Sequence, residues 1–233
     1  MSLAAAKGGA SGIVDVRGKM LFEWLDSCEA WTTDQKFALQ YVYNNGPAVQ
    51  FGSHYSAWEA KNGESYSFSV RRLRNGEISE EIRGSAARAA DGTGLASFSK
   101  PAKTEMELPA GVVFPTAHTL KMLELAAQGE RFYNTMMFDG SDGEGPVEIN
   151  VFIGQITPKS GSSNVKSDLL SRPARHVRMA FFPSDGDSSQ PEYEMTLTLL
   201  DNGVVSELKI EYEDFTLKGL LESIEAVAAP RCS

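Results

Sequence analysis

Two long runs of alternating side chains restrict the fold more than any other feature of this sequence. The first places Val14, Val16, Gly18, Met20, Phe22 and Trp24 on one side, against Asp15, Arg17, Lys19, Leu21 and Glu23 on the other. The second continues through Trp31, Thr33, Gln35, Phe37, Leu39, Tyr41 and Tyr43. Successive strand residues point to opposite faces, so this alternation marks strands with one apolar face. Each run is longer than about ten residues, where about five or six are usual. Such lengths suit a strongly curved sheet or barrel wall better than a compact sandwich.

The turn signals agree. Asn-Gly occurs at Asn45-Gly46, Asn62-Gly63, Asn75-Gly76 and Asn202-Gly203, and the last three lie between strand-like runs. Asn-Gly accepts the two positive φ values of a type I′ turn, whose twist matches paired antiparallel strands. Polar loops at 139–145 and 184–191 separate further apolar runs. The expectation is an all-β, incompletely closed antiparallel barrel of roughly ten to fourteen strands in up-and-down order.

Helical pattern is scarce. Residues 115–129 have Pro115 near the start, Leu120, Leu123 and Ala127 on one face, and Gly129 as a stop. Residues 217–230 repeat Leu220, Leu221, Ile224 and Val227 before Pro230, a second helical pattern. Strands do not alternate with helices, which argues against a parallel α/β sheet. Residues 1–10 read as a flexible, Gly-rich tail whose Met1-Ser2-Leu3 resembles an expression remnant, and 157–175 as a polar surface loop with a short helical turn. Residues 11–233 then form a single domain.

Composition sets the class of partner. The 233 residues carry a net charge of −9, which disfavours nucleic acid and anionic lipid, both of which are met by clustered Lys and Arg. No run approaches the length of a membrane-spanning helix. An amino-terminal signal peptide is not visible, as expected for a sequence that begins just after a cleavage site.

The chain has two cysteines, Cys28 and Cys232. One reading is two unrelated thiols packed as small hydrophobes. The other is a disulfide. Cys28 falls between two strands, Cys232 stands near a chain end where burial of a thiol is rare, and the number is even. A bridge across so long a loop would stabilise by about 5 kcal/mol at most, and would place the protein in an oxidising compartment.

The segments GKMLFEWLDSCEAWTTDQKFAL (18–39) and DFTLKGLLESIEAVAAPRCS (214–233) resemble the EipB-like cell-envelope integrity proteins of Gram-negative bacteria. The resemblance runs from about Ser11 to Ser233 and is most specific at Asp26-Ser27-Cys28, Trp31-Thr32 and the terminal Pro-Arg-Cys. It implies a Cys28–Cys232 pair, a periplasmic location, and a spiral-like open barrel similar to the lipoprotein carriers of the Lol system.

Catalytic and metal motifs are weak. Ser-x-x-Lys occurs at 97–100 and 163–166, but Pro101 follows the first and the second lies in a polar loop. His54, His118 and His176 are dispersed, without a Gly-x-Ser-x-Gly elbow. DGSDGEG at 139–145 fails the EF-hand register, because Gly143 and Glu144 fall at positions five and six. Glu192, Glu194, Glu207, Glu211 and Glu213 read as the wet face of a sheet. The expectation is no catalytic residue, no metal and no cofactor.

The apolar surplus is more informative. Runs at 136–138, 151–153, 179–182 and 197–200 are apolar on both sheet faces. Either helices cover the second face, or an open concave face accommodates a lipid, lipoprotein or protein partner. In the second case Met122, Met136, Phe138, Phe152 and Phe181 are the candidate groove residues, with Met106, Met137 and Met179 adding a pliable lining. The functional expectation is a monomeric, non-catalytic periplasmic protein that supports the envelope through such a partner. A fully packed interaction scaffold is the alternative, and an envelope hydrolase a remote one.

Overall fold

A computed structural model describes residues 1–6, 12–157, 165–183, 189–228 and 230–232. The strands are β1 (Ser2–Ala6), β2 (Ile13–Asp26), β3 (Ala30–Tyr43), β4 (Val49–Ala60), β5 (Ser65–Arg74), β6 (Glu77–Arg88), β7 (Gly94–Lys100) and β8 (Thr104–Leu108). The one α-helix among the described residues, α1 (Pro115–Gln128), follows. Then come β9 (Phe132–Met137), β10 (Val147–Thr157), a 3-10 turn at Asp168–Leu170, β11 (Ala174–Phe182), β12 (Tyr193–Leu200), β13 (Val205–Tyr212) and β14 (Thr216–Leu220).

All fourteen strands belong to one antiparallel sheet, in the order β8-β7-β6-β5-β4-β3-β2-β1-β14-β13-β12-β11-β10-β9. The long alternating runs are β2 and β3, paired from Ile13↔Tyr43 to Asp26↔Trp31. Asn75-Gly76 makes the β5–β6 turn with φ of 53° and 86°, the two left-handed residues a type I′ turn requires. Ser2–Ala6, read from sequence as part of a tail, instead forms β1, bonded to β2 on one side and β14 on the other. Leu3 anchors it in a core cluster with Val16, Leu39 and Leu217. Residues 158–164 of the first polar loop and 184–188 of the second lie outside the described residues. So does Ser163 of the second Ser-x-x-Lys match.

The sheet curls but does not close. Its edges, β8 and β9, are not paired with each other. The seam is filled by side chains: Val112 and Phe114 from before the helix, and Phe138 from after β9, pack on Tyr66, Phe68, Val70, Ile82 and Phe98. Val113 bridges Met137 in parallel, so this crossing segment covers part of the β9 edge. Tyr55 and Tyr66 both donate to the Asp139 carbonyl, at 3.1 and 3.0 Å, tying the far edge to the β4–β5 pair.

The helical pattern at 217–230 is not realised. Thr216–Leu220 is strand, and no helix follows it among the described residues. Two constraints account for this. Gly219 faces Leu3 so closely that a Cβ would stand 2.9 Å from its Cδ2, a contact that depends on the strand register. The tail must also reach Cys28. Leu220 lies level with Lys19 through Ser2, and the nine residues from Lys19 to Cys28 span about 30 Å of strand. Twelve residues of helix would cover only about 18 Å. The tail is therefore extended, and Cys28 and Cys232 meet with sulfurs 2.03 Å and Cα atoms 5.6 Å apart.

Candidate functional site

Up-and-down order gives the barrel two ends. One holds the β2–β3, β4–β5 and β12–β13 turns together with the disulfide. The other holds the β3–β4, β5–β6, β11–β12 and β13–β14 turns. The two ends are filled differently.

At the disulfide end, α1 lies inside the curl. Thr116, His118, Met122 and Ala126 are its buried residues, and Met122 and Ala126 pack on Ile149, Ile153, Val177, Leu197 and Leu199. The sheet holds both helix ends. Glu59 of β4, 3% exposed, accepts the Thr116 and Ala117 amides at 2.7 Å each. A helix start leaves such amides unpaired and carries partial positive charge, so a carboxylate there satisfies both needs. Burial nevertheless pushes the Glu59 carboxyl up, against the amide bonds that pull it down. At the other end Arg175 of β11 donates to the Ala126 carbonyl at 2.8 Å and to Gly154 at 3.1 Å. Trp24 closes this end against the β12–β13 turn, where a Cβ on Gly203 would come within 2.8 Å of the indole.

At the opposite end the inner face carries a chain of aromatic rings. Phe51 and Tyr41 meet edge to face at 5.2 Å, Tyr41 and Phe215 at 6.2 Å. Phe215 stacks on Tyr212 at 4.7 Å, Tyr212 meets Tyr193 in a tilted contact at 5.8 Å, and Tyr193 stacks on Phe181 at 4.4 Å. These residues share the faces of Leu39, Ser53, Ile210, Leu197 and Val177, so the rings line the inside of the mouth. Tyr212 is 39% exposed, whereas Phe181 at the base is 5% exposed. Burial raises the hydroxyl pKa of Tyr41, Tyr193 and Tyr212, so all three stay neutral hydrogen-bonding groups. Exposed Glu192, Glu213 and Asp214 stand at the rim, and the Arg74 guanidinium lies over Phe51 at 5.5 Å.

The five groove candidates do not come together. Met122 is on the buried face of α1, 2% exposed, and Phe138, 1% exposed, belongs to the seam cluster with Met136 packed against it. Phe152 faces outward, paired with Phe132 at 5.4 Å and covered by Arg131. Phe181 alone reaches the mouth. Sequence reading passed over Tyr41, Phe51, Tyr193, Tyr212 and Phe215. Their signal was an aromatic residue at a strand end beside a polar turn, as in YVYNNG and EYEDF.

A polar cleft of about 190 Å³ on the outer face is lined by His54, Ser56, Ser69, Arg71, Glu81 and Lys100. His54 bonds Asp34 at 2.5 Å, while Arg71 and Lys100 are both committed to Glu81. Among the described residues no hydrogen bond joins either serine to His54. No group of three or more acidic, His or Cys residues there could hold a metal ion, and no described helix is long and apolar enough to cross a membrane.

The profile of the EipB-like family matches residues 1–228. The cell envelope integrity protein EipB of Brucella abortus (strain 2308) is 27% identical over 219 residues, covering 92% of this chain and 78% of that protein. A solved beta-barrel-like protein of a domain of unknown function, from Brucella abortus, superposes with a TM-score of 0.88 at 26% identity. It covers 94% of this chain and 92% of its own.

Proposed function

Because this chain belongs to the EipB-like family, we propose that it supports the cell envelope without catalysis, by holding an envelope protein or lipoprotein at the aromatic mouth of its open barrel. The observation that carries this reading is the continuous chain from Phe51 to Phe181, half-buried and rimmed by carboxylates. Tyrosine and phenylalanine offer large contact area at low entropic cost, and an apolar centre inside a charged rim is the anatomy of a protein interface. The acidic rim favours a basic or neutral partner over anionic headgroups. The helix-filled interior beneath favours a partner seated on the end over a lipid swallowed whole. The disulfide fits an oxidising compartment, and we assign the protein to the periplasm.

A photo-crosslinking residue at Tyr212 should capture a discrete envelope protein in cells, while the same residue at exposed Lys103 should not. Tyr212→Ala with Phe215→Ala should sensitise cells to detergent while leaving the fold and disulfide intact. Equal capture from both positions would sink the proposal. A second reading, an acyl chain threaded between Tyr212 and Phe22, draws on the 54% exposure of the inward-facing Phe22. Lipid released by solvent from detergent-free protein would favour it.

A further inference from the structure

β4, β5 and β6 are paired on both sides, so their outer face offers side chains and no free backbone. The ladder sets Ser56, Ser69, Arg83 and, on β7, Lys100 opposite one another at one level of that face. At the next level stand Trp58, Ser67, Ser85 and Ser97. Ser56, Ser69 and Arg83 also line the polar cleft of about 190 Å³. Its other charges are engaged. Arg71 and Lys100 hold Glu81, while Lys36 and His54 hold Asp34. The Arg83 guanidinium and the Ser56 and Ser69 hydroxyls have no partner among the described residues. Arg71, Arg83 and Lys100 thus surround one carboxylate, a local positive excess on a chain of net charge −9. Glu105 lies at the far border, opposite Ser97. Trp58 is 40% exposed, and among the described residues its indole makes no ring, cation or hydrogen-bond contact.

We propose that this face binds a short acidic oligosaccharide, with one sugar ring stacked on Trp58 and a carboxylate of a neighbouring ring held by Arg83. A lone exposed indole needs no explanation. An indole beside unpaired hydroxyls and an unpaired guanidinium is a different case, because the three groups match the three parts of an acidic sugar. The C–H face of a sugar ring packs on the aromatic plane, and its hydroxyls exchange hydrogen bonds with serine side chains. A carboxylate fits the fork of a guanidinium. Strand spacing and rise put the Cα atoms of Trp58 and Arg83 about 12 Å apart, the span of two linked rings. A peptide would find no open strand edge here. A lipid would find one aromatic ring among serines in place of a contiguous apolar patch. The site lies on the outside of the wall and does not depend on the assignment of the aromatic mouth.

NMR titration of the full chain tests it. Millimolar trigalacturonate should shift the Trp58 indole N–H and the amides of Ser56, Ser69 and Arg83, leaving Tyr193 and Tyr212 of the mouth in place. Maltotriose, with the rings and no carboxylate, should bind at least about tenfold more weakly. Acetylated, amidated triglutamate, with the charge and no rings, should do the same. Arg83→Gln and Trp58→Ala should each weaken trigalacturonate binding by about tenfold or more. Trp58→Phe should retain most of it, and Tyr212→Ala should bind like the parent. Both Arg83 and Trp58 are exposed, so the thermal midpoint should stay put, and Arg83→Gln alone carries the test where Trp58→Ala does not fold. Equal binding of triglutamate makes the face a general anion patch and overturns the proposal. Equal binding of maltotriose overturns it by removing the role of Arg83, and so does an unmoved Trp58 signal with trigalacturonate.

Discussion

His118 has two possible fates on an amphipathic helix, and burial decided between them. Its ring stacks on Tyr133 at 5.7 Å, is 5% exposed, and its Nε2 has no partner among the described residues. Desolvation therefore pulls its pKa from 6.5 down to about 4. The unfolded chain binds a proton in that window and the folded chain does not, so stability is full above the unfolded value and falls as pH drops from 6.5 towards 4. The loss should approach about 3 kcal/mol. Urea titrations at pH 7 and pH 5 should show it, and His118→Phe should flatten the dependence. The sequence places this histidine within the helical pattern of 115–129 without specifying its face. Which face of α1 would be covered depended on strands distant along the chain.

The helix itself was legible, from Pro115 at its start to Gly129 at its stop with φ of 84°. Its clamps were not. Glu59 lies in an alternating strand among inward-facing residues, and nothing local says that its carboxylate ends at a helix 57 residues later. Glu59→Leu should strand two buried amides and cost about 2–4 kcal/mol, with Glu59→Gln costing about half as much because it keeps one acceptor. Denaturant unfolding measures the difference, and faster exchange at Thr116 and Ala117 locates it. Arg175→Met should loosen the opposite helix end by about 1 kcal/mol. The 217–230 pattern shows the converse. Its apolar spacing is helical, yet pairing with β1 and β13 and the reach to Cys28 impose an extended chain.

At the scale of the molecule, a sheet of fourteen strands with two unpaired edges depends on devices other than its ladder. The seam cluster holds β8 near β9, and the disulfide ties the extended tail to the β2–β3 turn. The bridge closes a separation of 204 residues, for which chain entropy gives about 5 kcal/mol as an upper limit. Cys28→Ser with Cys232→Ser should lower the urea midpoint accordingly and raise proteolysis of 222–228. Alkylation of denatured, unreduced protein should modify neither cysteine. Modification of both in freshly prepared oxidised protein would contradict the bridge. The Asn-Gly turns and long alternating runs announced antiparallel order because they act over a few residues. The seam, by contrast, joins Phe138 to Tyr66 and Phe98 across distant sequence.

Local chemistry alone determined the long alternating strands, the tight turns and α1, since each depends on side-chain period or on φ within a few positions. Tertiary structure decided which apolar residues became core, which aromatics formed the mouth, and how α1 was clamped at both ends. Those outcomes depend on how the curling sheet meets itself and the helix, which no stretch of the chain encodes by its own spacing.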